Sequence, residues 1–545
     1  MRDEERTDTS ERQRADVISR EQAPDLFNSP PSTPSVSSLI PHPSSLSSWL
    51  DRIIIFWLFV LAVCAPHSIA GTQIAWACGM LFWIARLCVR PRKRLYRTPL
   101  DYALLGFFIL TFVSSLASYD PLISIGKLRG ASLFTIVYLV AENVTQKRVL
   151  RWLVFTLIAS CMINVIYVMG ERAVGRGVKV EGLSTQSPLY AAGVRDGDTL
   201  LEVDGRALHD AEELRAALAG GGSAASSGAA AATPARIKIY RYEWMPTFNV
   251  ERGRLLEGET TLAKLGISNW SRGRDWRAAG FYGHYTTYAE ALQLIASLAL
   301  GLLIALGKWK TRSAWLLIAA LAGLAGALLL TVTRASWLAF LISAALIVLV
   351  GASRRTALLL AACALPLIFA GLFVLQQKRN VTFFDPKDDS INWRKTVQRE
   401  GLQLLVSKPR HLLVGVGMDS IKSHWREWGL FQNGRIPMGH MHSTPLQLAV
   451  ERGVPVLILW LVLLFLYARM LWRVLRSGRV EGWTERGLTL GALGGLAGFF
   501  ASGLVHYNFG DSEVAMIFYF IMGLCLVVER ETREARADSA PTSSV

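Results

Sequence analysis

The sequence predicts a polytopic α-helical membrane protein of about twelve transmembrane helices, with a small α/β unit inserted in one extracytoplasmic connection. Three observations carry this. The 545-residue chain is 52% hydrophobic and only 18% charged. Apolar runs of about 20 residues recur along it, the length that crosses a bilayer as a helix. Its formal net charge of +16 gathers in alternate connections between those runs, which reads as basic cytoplasmic loops. No zinc-type CxxC pair and no basic stripe with interleaved aromatics accompanies that charge, which argues against nucleic-acid binding.

Residues 1–48 are polar and rich in Ser and Pro, and are expected to be disordered and cytoplasmic. They are too long and too acidic for a signal-peptide n-region and show no obvious cleavage site, so the first span is expected to stay in place. Five spans occupy 49–169, at Leu50–Pro66, Ile69–Cys88, Leu100–Ser118, Ala131–Glu142 with its flanks, and Leu150–Met169. Four more occupy 283–375, at Tyr285–Leu306, Ala314–Thr331, Ser336–Gly351 and Ala357–Leu375. The last three occupy 445–529, at Leu446–Trp472, Leu488–Val505 and Val514–Val528, followed by a tail at 530–545.

Basic clusters orient these helices. Arg86, Arg90, Arg92, Lys93, Arg94 and Arg97 follow the second span. Lys147, Arg148 and Arg151 follow the fourth, Lys308, Lys310 and Arg312 the sixth, Arg354 and Arg355 the eighth, and five arginines from Arg469 to Arg486 the tenth. All are even-numbered connections, so both termini are expected in the cytoplasm. The insert after span five, the turn after span seven and the loop at 376–444 after span nine then face outward. The six cysteines (Cys64, Cys78, Cys88, Cys161, Cys363 and Cys525) fall in or beside apolar runs and read as packing residues rather than disulfides or metal ligands.

Within 170–245, Ser187-Pro188, Ala191-Ala192-Gly193-Val194, Asp196-Gly197-Asp198 and Asp204-Gly205 resemble a bacterial PDZ domain. The alanine-glycine step opens a short helix, the Gly-Asp turn leads into a strand and Asp-Gly closes a hairpin. Ala211–Leu218 is predicted as an amphipathic helix, Gly220–Ala232 as an Ala/Gly/Ser linker and Arg236–Tyr242 as a closing strand. Such a unit implies a peptide added as an extra strand, with Gly175-Arg-Gly177-Val178 as a candidate carboxylate-binding loop, or a spacer with a degenerate groove. Residues 246–282 then read as a linker back to the membrane, with Trp244, Trp270 and Trp276 as candidate interfacial anchors.

The outward connections contain or border three cations at span mouths: Arg277, Arg334 and His442. Lipid gives such charges little solvation, so each needs a reason. Arginines on the outer face run against the orientation bias, which favours a specific anionic partner over a topological anchor. Two guanidinium groups suit a diphosphate, and an imidazole near a carboxylate such as Asp419 or Glu451 suits a general base. Gly280 and Gly283, beside Arg277, would let the backbone approach a ligand closely. Arg274, His284, His440, Gln447, Glu451, Lys127 and Arg129 are candidate supporting residues. Headgroup snorkelling is the bland alternative for the arginines, and a structural role for His442. A metal at His440 and His442 is disfavoured, because no acidic partner lies close in sequence.

Arg277-x-x-Gly280-Phe281, Thr333-Arg334-Ala335-Ser336, Gly415-Val-Gly417, and His442-Ser443-x-x-Leu446-Gln447 followed by Glu451-x-Gly453 together resemble the O-antigen ligase superfamily. That superfamily takes in ligases, O-antigen polymerases and protein O-oligosaccharyltransferases. The resemblance covers Trp276–Trp460. Ser443 stands where asparagine is common and Ala335 where glycine is common, and the PDZ-like insert is not part of the usual ligase. The resemblance implies a GT-C-like architecture in a bacterial inner membrane, with the active site and PDZ-like unit periplasmic. It implies a glycan donor on undecaprenyl diphosphate, no cofactor or metal, Arg277 and Arg334 on the diphosphate, and His442 taking a proton from an acceptor hydroxyl with inversion. The expected reaction is ligation to lipid A–core. Polymerisation and transfer to protein are the enzymatic alternatives, and a non-catalytic scaffold built around the PDZ-like unit is the alternative of another class.

Overall fold

The computed structural model describes residues 43–90, 95–219, 233–241, 245–274, 276–359, 362, 389–436 and 438–538. Most of the expected N-terminal segment, the Gly220–Ala232 linker, most of the Ala357–Leu375 span and Cys363 lie outside them. Helix α1 spans Pro43–Cys64, α2 Ile69–Cys88 and α3 Asp101–Leu116. Helix α4 runs Pro121–Asn143, with a tight turn at Ser132–Phe134, and α5 spans Lys147–Val174. After the inserted domain come α9 (Tyr285–Leu306), α10 (Arg312–Leu330) and α11 (Arg334–Gly351). A peripheral loop contains α12 (Asp389–Val406), α13 (Pro409–Val414), α14 (Ser420–His424) and α15 (Thr444–Arg452). The bundle closes with α16 (Val454–Arg476), α17 (Trp483–Gly503) and α18 (Ser512–Asp538).

Among the described residues, eight helices are long and apolar enough to cross a membrane: α1, α4, α5, α9, α10, α11, α16 and α18. Helices α2 and α17 are of comparable length but less apolar, and α3 is shorter. In α9 and α18, 89% of the apolar window is buried, against 33%, 28% and 22% in α1, α10 and α11. The first pair is therefore the centre of the bundle, and the others present apolar surface outward. Glycines in α17 set a close contact with α9. A Cβ on Gly491 would lie 2.7 Å from Leu298 Cα, and one on Gly301 would lie 2.4 Å from Gly491 N. Only residues without side chains allow α9 and α17 to approach this closely. The Leu446–Trp472 span expected from sequence is broken at Gly453, which has φ +88° and packs against the Leu413 carbonyl. The membrane helix starts at Val454, and α15 belongs to the loop.

The inserted domain has β1 (Arg176–Leu183), α6 (Pro188–Ala191), β2 (Thr199–Val203), β3 (Arg206–Ala207), α7 (Ala211–Leu218) and β4 (Ala235–Tyr240). It continues through β5 (Thr247–Val250), α8 (Thr261–Leu265) and β6 (Ile267–Gly273). The stretch expected to be a linker thus supplies two strands. The sheet order is β5-β4-β2-β1-β6, with β3 against β2. Alternating Val178, Val180, Leu200, Ile237 and Ile239 build its core with Leu214 and Leu218 of α7. Strand β1 is antiparallel to β2 on one edge and to β6 on the other. Its Gly175–Val178 stretch is paired with Arg272 and Gly273, so it has no edge to offer as a carboxylate-binding loop. Among the described residues β6 has one partner, β1, and is one edge of the sheet, with β5 at the other. Trp276 is buried, with Arg172 and Arg176 over its ring, and Trp270 packs against the domain core. Neither is an interfacial anchor, and Trp244 lies outside the described residues.

Candidate active site

Strand β6 ends at Gly273, and Arg277 follows four residues later in the turn that enters α9. The Ala278 amide donates to the Leu330 carbonyl at 2.9 Å, laying this turn across the end of α10. Arg277 reaches into the α10–α11 connection. Its Nε donates to the Thr331 carbonyl at 3.0 Å, and a terminal N–H donates to the Val332 carbonyl. Its Cζ lies 3.7 Å from the ring centroid of Tyr285, in the first turn of α9. Val332 adopts φ +52°, a conformation that β-branched residues rarely accept without compensating contacts. Arg334 opens α11 two residues later, where the orphan N–H groups of a helix start favour an anion. Burial pulls Arg277 below its ordinary value. Tyr285 and Tyr240 oppose that shift, and the nearby charge of Arg334 adds to it. A guanidinium stays protonated through such shifts, so two fixed positive charges converge at one turn.

Gly280 does not line an open approach. It has φ +53°, and a Cβ there would lie 2.2 Å from Asn164 Oδ1, so its missing side chain lets the turn pack on α5. Arg274 is exposed while Arg277 is drawn inward, which makes Arg277 the arginine of the site. His284 precedes α9 and stacks on Tyr285 at 4.8 Å.

His442 sits just before α15 with φ +49°, an uncommon backbone state that marks functional turns. Neighbours fix it on each side. Its amide donates to His440 Nδ1 at 3.2 Å, and its carbonyl accepts from Gln398 Nε2 at 3.1 Å. The Trp393 and His440 rings lie 4.2 and 4.1 Å from its own. Ser443, the departure from asparagine, caps α15 through its hydroxyl, which accepts from the Leu446 amide. Gln447 Oε1 accepts from the Met441 amide at 2.7 Å. Glu451 Oε1 accepts from the Asp419 amide at 3.0 Å. The amides of Val416 and Gly417 donate to the carbonyls of Val450 and Glu451, each at 2.8 Å. Gln447, Glu451 and the Gly415-Val-Gly417 turn therefore shape the loop around His442 rather than supply reacting groups. Glu451 is fully buried, and burial raises its carboxyl.

The histidines form one electrostatic group. Burial holds His442 down to about 2, and the fields of His440, Arg394, His506 and His284 push the same way. Burial holds His440 at about 4, aided by His284, Lys422 and Arg394. It holds His506 at about 3, aided by Arg394, His440, Arg277 and His284. The Arg277 turn and the His442 loop thus act on shared neighbours at one end of the bundle. All three imidazoles are neutral at pH 7. Lys127 lies 3.0 Å from Asp419, which also meets Lys422 at 2.7 Å. Lys127 thus reaches the rim through an exposed ion pair. Arg129 is exposed, and among the described residues nothing joins its guanidinium to the three central side chains.

Sequence reasoning missed Trp393, Arg394, Tyr285 and the segment from His506 to Asp511. The last was detectable, since His506 and Asp511 sit in the odd-numbered connection between the final two predicted spans. Arg394 and Trp393 lie in a polar helix whose sequence gives no sign of which turn faces His442. Among the described residues there is no group of three His, Cys, Asp or Glu arranged to hold a metal ion, and Cys64, Cys78, Cys88, Cys161 and Cys525 are free thiols.

Residues 319–461 match the O-antigen ligase family, and residues 179–225 match the PDZ domain family. The first match includes Arg334, Arg394, His440 and His442. A 45-residue stretch, 8% of the chain, is 49% identical to the magnetosome formation protease MamE of Magnetospirillum gryphiswaldense. The chain covers 6% of that protein's length. The chain is a multi-pass helical membrane protein that joins an O-antigen ligase family segment to an inserted PDZ domain.

Proposed function

We propose that this protein transfers a glycan from undecaprenyl diphosphate to an acceptor hydroxyl at the outer face of a bacterial inner membrane, with lipid A–core as the acceptor. The convergence of Arg277 on the turn that carries Arg334, beside the His442 loop, is the observation that carries this reading. In it, Arg277 and Arg334 hold the donor's phosphates and offset the charge that develops as the sugar–phosphate bond breaks. His442 accepts the proton of the attacking hydroxyl. The hydroxyl oxygen forms the new glycosidic bond on the face opposite the diphosphate, so the anomeric centre inverts. The basic clusters in the even-numbered connections support cytoplasmic termini and a site on the outer face.

Transfer to protein is the second reading, and a specific observation favours it. Strand β6 is an edge of the PDZ sheet, and its last residue is four positions from Arg277. In this reading a polypeptide adds along β6, entering beside the α-left turn at Gly266 (φ +69°), and is held next to the phosphate site.

The test is purified protein in liposomes with a labelled lipid-linked glycan, offered lipid A–core, lipid-linked repeat or polypeptide separately. Label in lipid A–core supports the first reading. Label in repeat or polypeptide replaces the acceptor. No label in any acceptor overturns the enzyme.

A further inference from the structure

We propose that Glu290 and His506 form a positioning couple for His442, holding the proton acceptor against the helix that carries the Arg277 turn. This rests on the transfer reaction proposed above. Glu290 lies in α9 and is 2% exposed. A carboxylate in the interior of a membrane bundle is costly and marks a functional position with a named partner. His506, in the α17–α18 connection, is that partner, with Nδ1 3.0 Å from Glu290 Oε1. The second carboxylate oxygen, Oε2, is buried with no hydrogen-bond partner. A carboxylate at Nδ1 fixes the imidazole with its proton there and its lone pair on Nε2.

The backbone of the same residue holds the His442 loop. The Thr444 amide donates to the His506 carbonyl at 3.0 Å, and the Thr444 hydroxyl lies 3.1 Å from that carbonyl and 2.8 Å from Asn508 Oδ1. Thr444 is two residues beyond His442 and opens α15. One residue therefore ties the base-bearing loop to α9 at Glu290, in the second turn of that helix. The charged and titratable groups that face His506 are Arg394, His440, Arg277 and His284, and Asp511 faces Glu290. The couple acts on His442 by position, through the Thr444 contact with the His506 carbonyl. The couple itself forms and breaks no bond.

The experiment uses full-length protein in liposomes with labelled lipid-linked glycan, comparing wild type, Glu290→Gln, His506→Ala and His506→Asn. Asparagine places an amide donor near the Nδ1 position. Glu290→Gln and His506→Ala should lower kcat at least about tenfold, with donor KM within about twofold. His506→Asn should recover most of the rate. Parent kcat in Glu290→Gln, or His506→Asn as inactive as His506→Ala, overturns the couple. Loss of transfer in the wild type overturns the reaction instead. Histidine 15N spectra then still decide the couple without activity. Protonated Nδ1 on His506 in wild type, altered in Glu290→Gln, supports it, and protonated Nε2 in wild type rejects it.

Discussion

Arg277 donates to the carbonyl of Val332, a β-branched residue at φ +52°. A residue from the PDZ-to-membrane connection thereby pins the turn that launches Arg334. The two arginines are one device: the first shapes the backbone on which the second stands. Arg277→Ala and Arg334→Ala should each lower transfer by about 30- to 1000-fold, the cost of about 2–4 kcal/mol for a lost transition-state contact. Arg277→Lys should recover little, since a single ammonium cannot serve two carbonyls and an aromatic face together. Radiolabelled single-turnover transfer measures this, and full activity in either alanine variant contradicts it.

His440, His442 and His506 carry a pH prediction for stability. In the unfolded chain a histidine titrates near 6.5, while in the folded site these three are held near 4, 2 and 3. Below pH 6.5 the unfolded state binds more protons, so the stability these groups contribute is full above that pH and falls progressively beneath it. Limited proteolysis of the His442 loop should therefore quicken from pH 7 to pH 5. A His440→Gln, His442→Gln double variant should show a weaker acceleration. Equal cleavage rates for the wild type across that range oppose the assignment.

The glycine contact in α17 predicts a packing defect. A methyl group on Gly491 meets backbone atoms of Leu298 and Ser297 at 2.7 and 2.8 Å, and neither can swing away. Gly491→Ala should cost about 1–3 kcal/mol by forcing α9 and α17 apart. Gly130→Ala, which meets nothing within 4 Å, is the control. Thermal unfolding in detergent reads both, and equal midpoints count against the contact.

The PDZ domain should be separable. Arg176 and Gly273 are paired neighbours at the two ends of the domain, so a short Gly-Ser link can replace 176–273 without stretching α5 from the Arg277 turn. The shortened protein should still label lipid A–core. If polypeptide is the acceptor, labelling should drop sharply instead.

The rim cations provide a weak-effect prediction. The Lys127–Asp419 pair is exposed on the lysine side, where such pairs contribute about 0–1 kcal/mol. Lys127→Ala and Arg129→Ala should change donor KM by less than about fivefold, read by initial rates over a donor series.

Much of this organisation was legible in the chain. Apolar runs of spanning length were visible because lipid requires them, and the inserted domain because its turns need Gly and Asp at set places. Arg277, Arg334 and His442 stood out because charge at a span mouth is costly. The strands β5 and β6 escaped because Thr247–Val250 and Ile267–Gly273 are mostly polar edge segments without strict alternation. The break at Gly453 was hidden inside a continuous helical pattern, where one glycine does not announce a positive φ. Glu290 and His506 escaped because their meaning depends on two distant helices touching.

The most direct test is a cryo-EM structure of the full-length protein with undecaprenyl diphosphate-linked glycan in a lipid nanodisc. Both phosphates should lie within hydrogen-bonding distance of Arg277 and Arg334, with the anomeric carbon facing His442. Phosphates held elsewhere on the protein, or His442 turned away from the sugar, would contradict it.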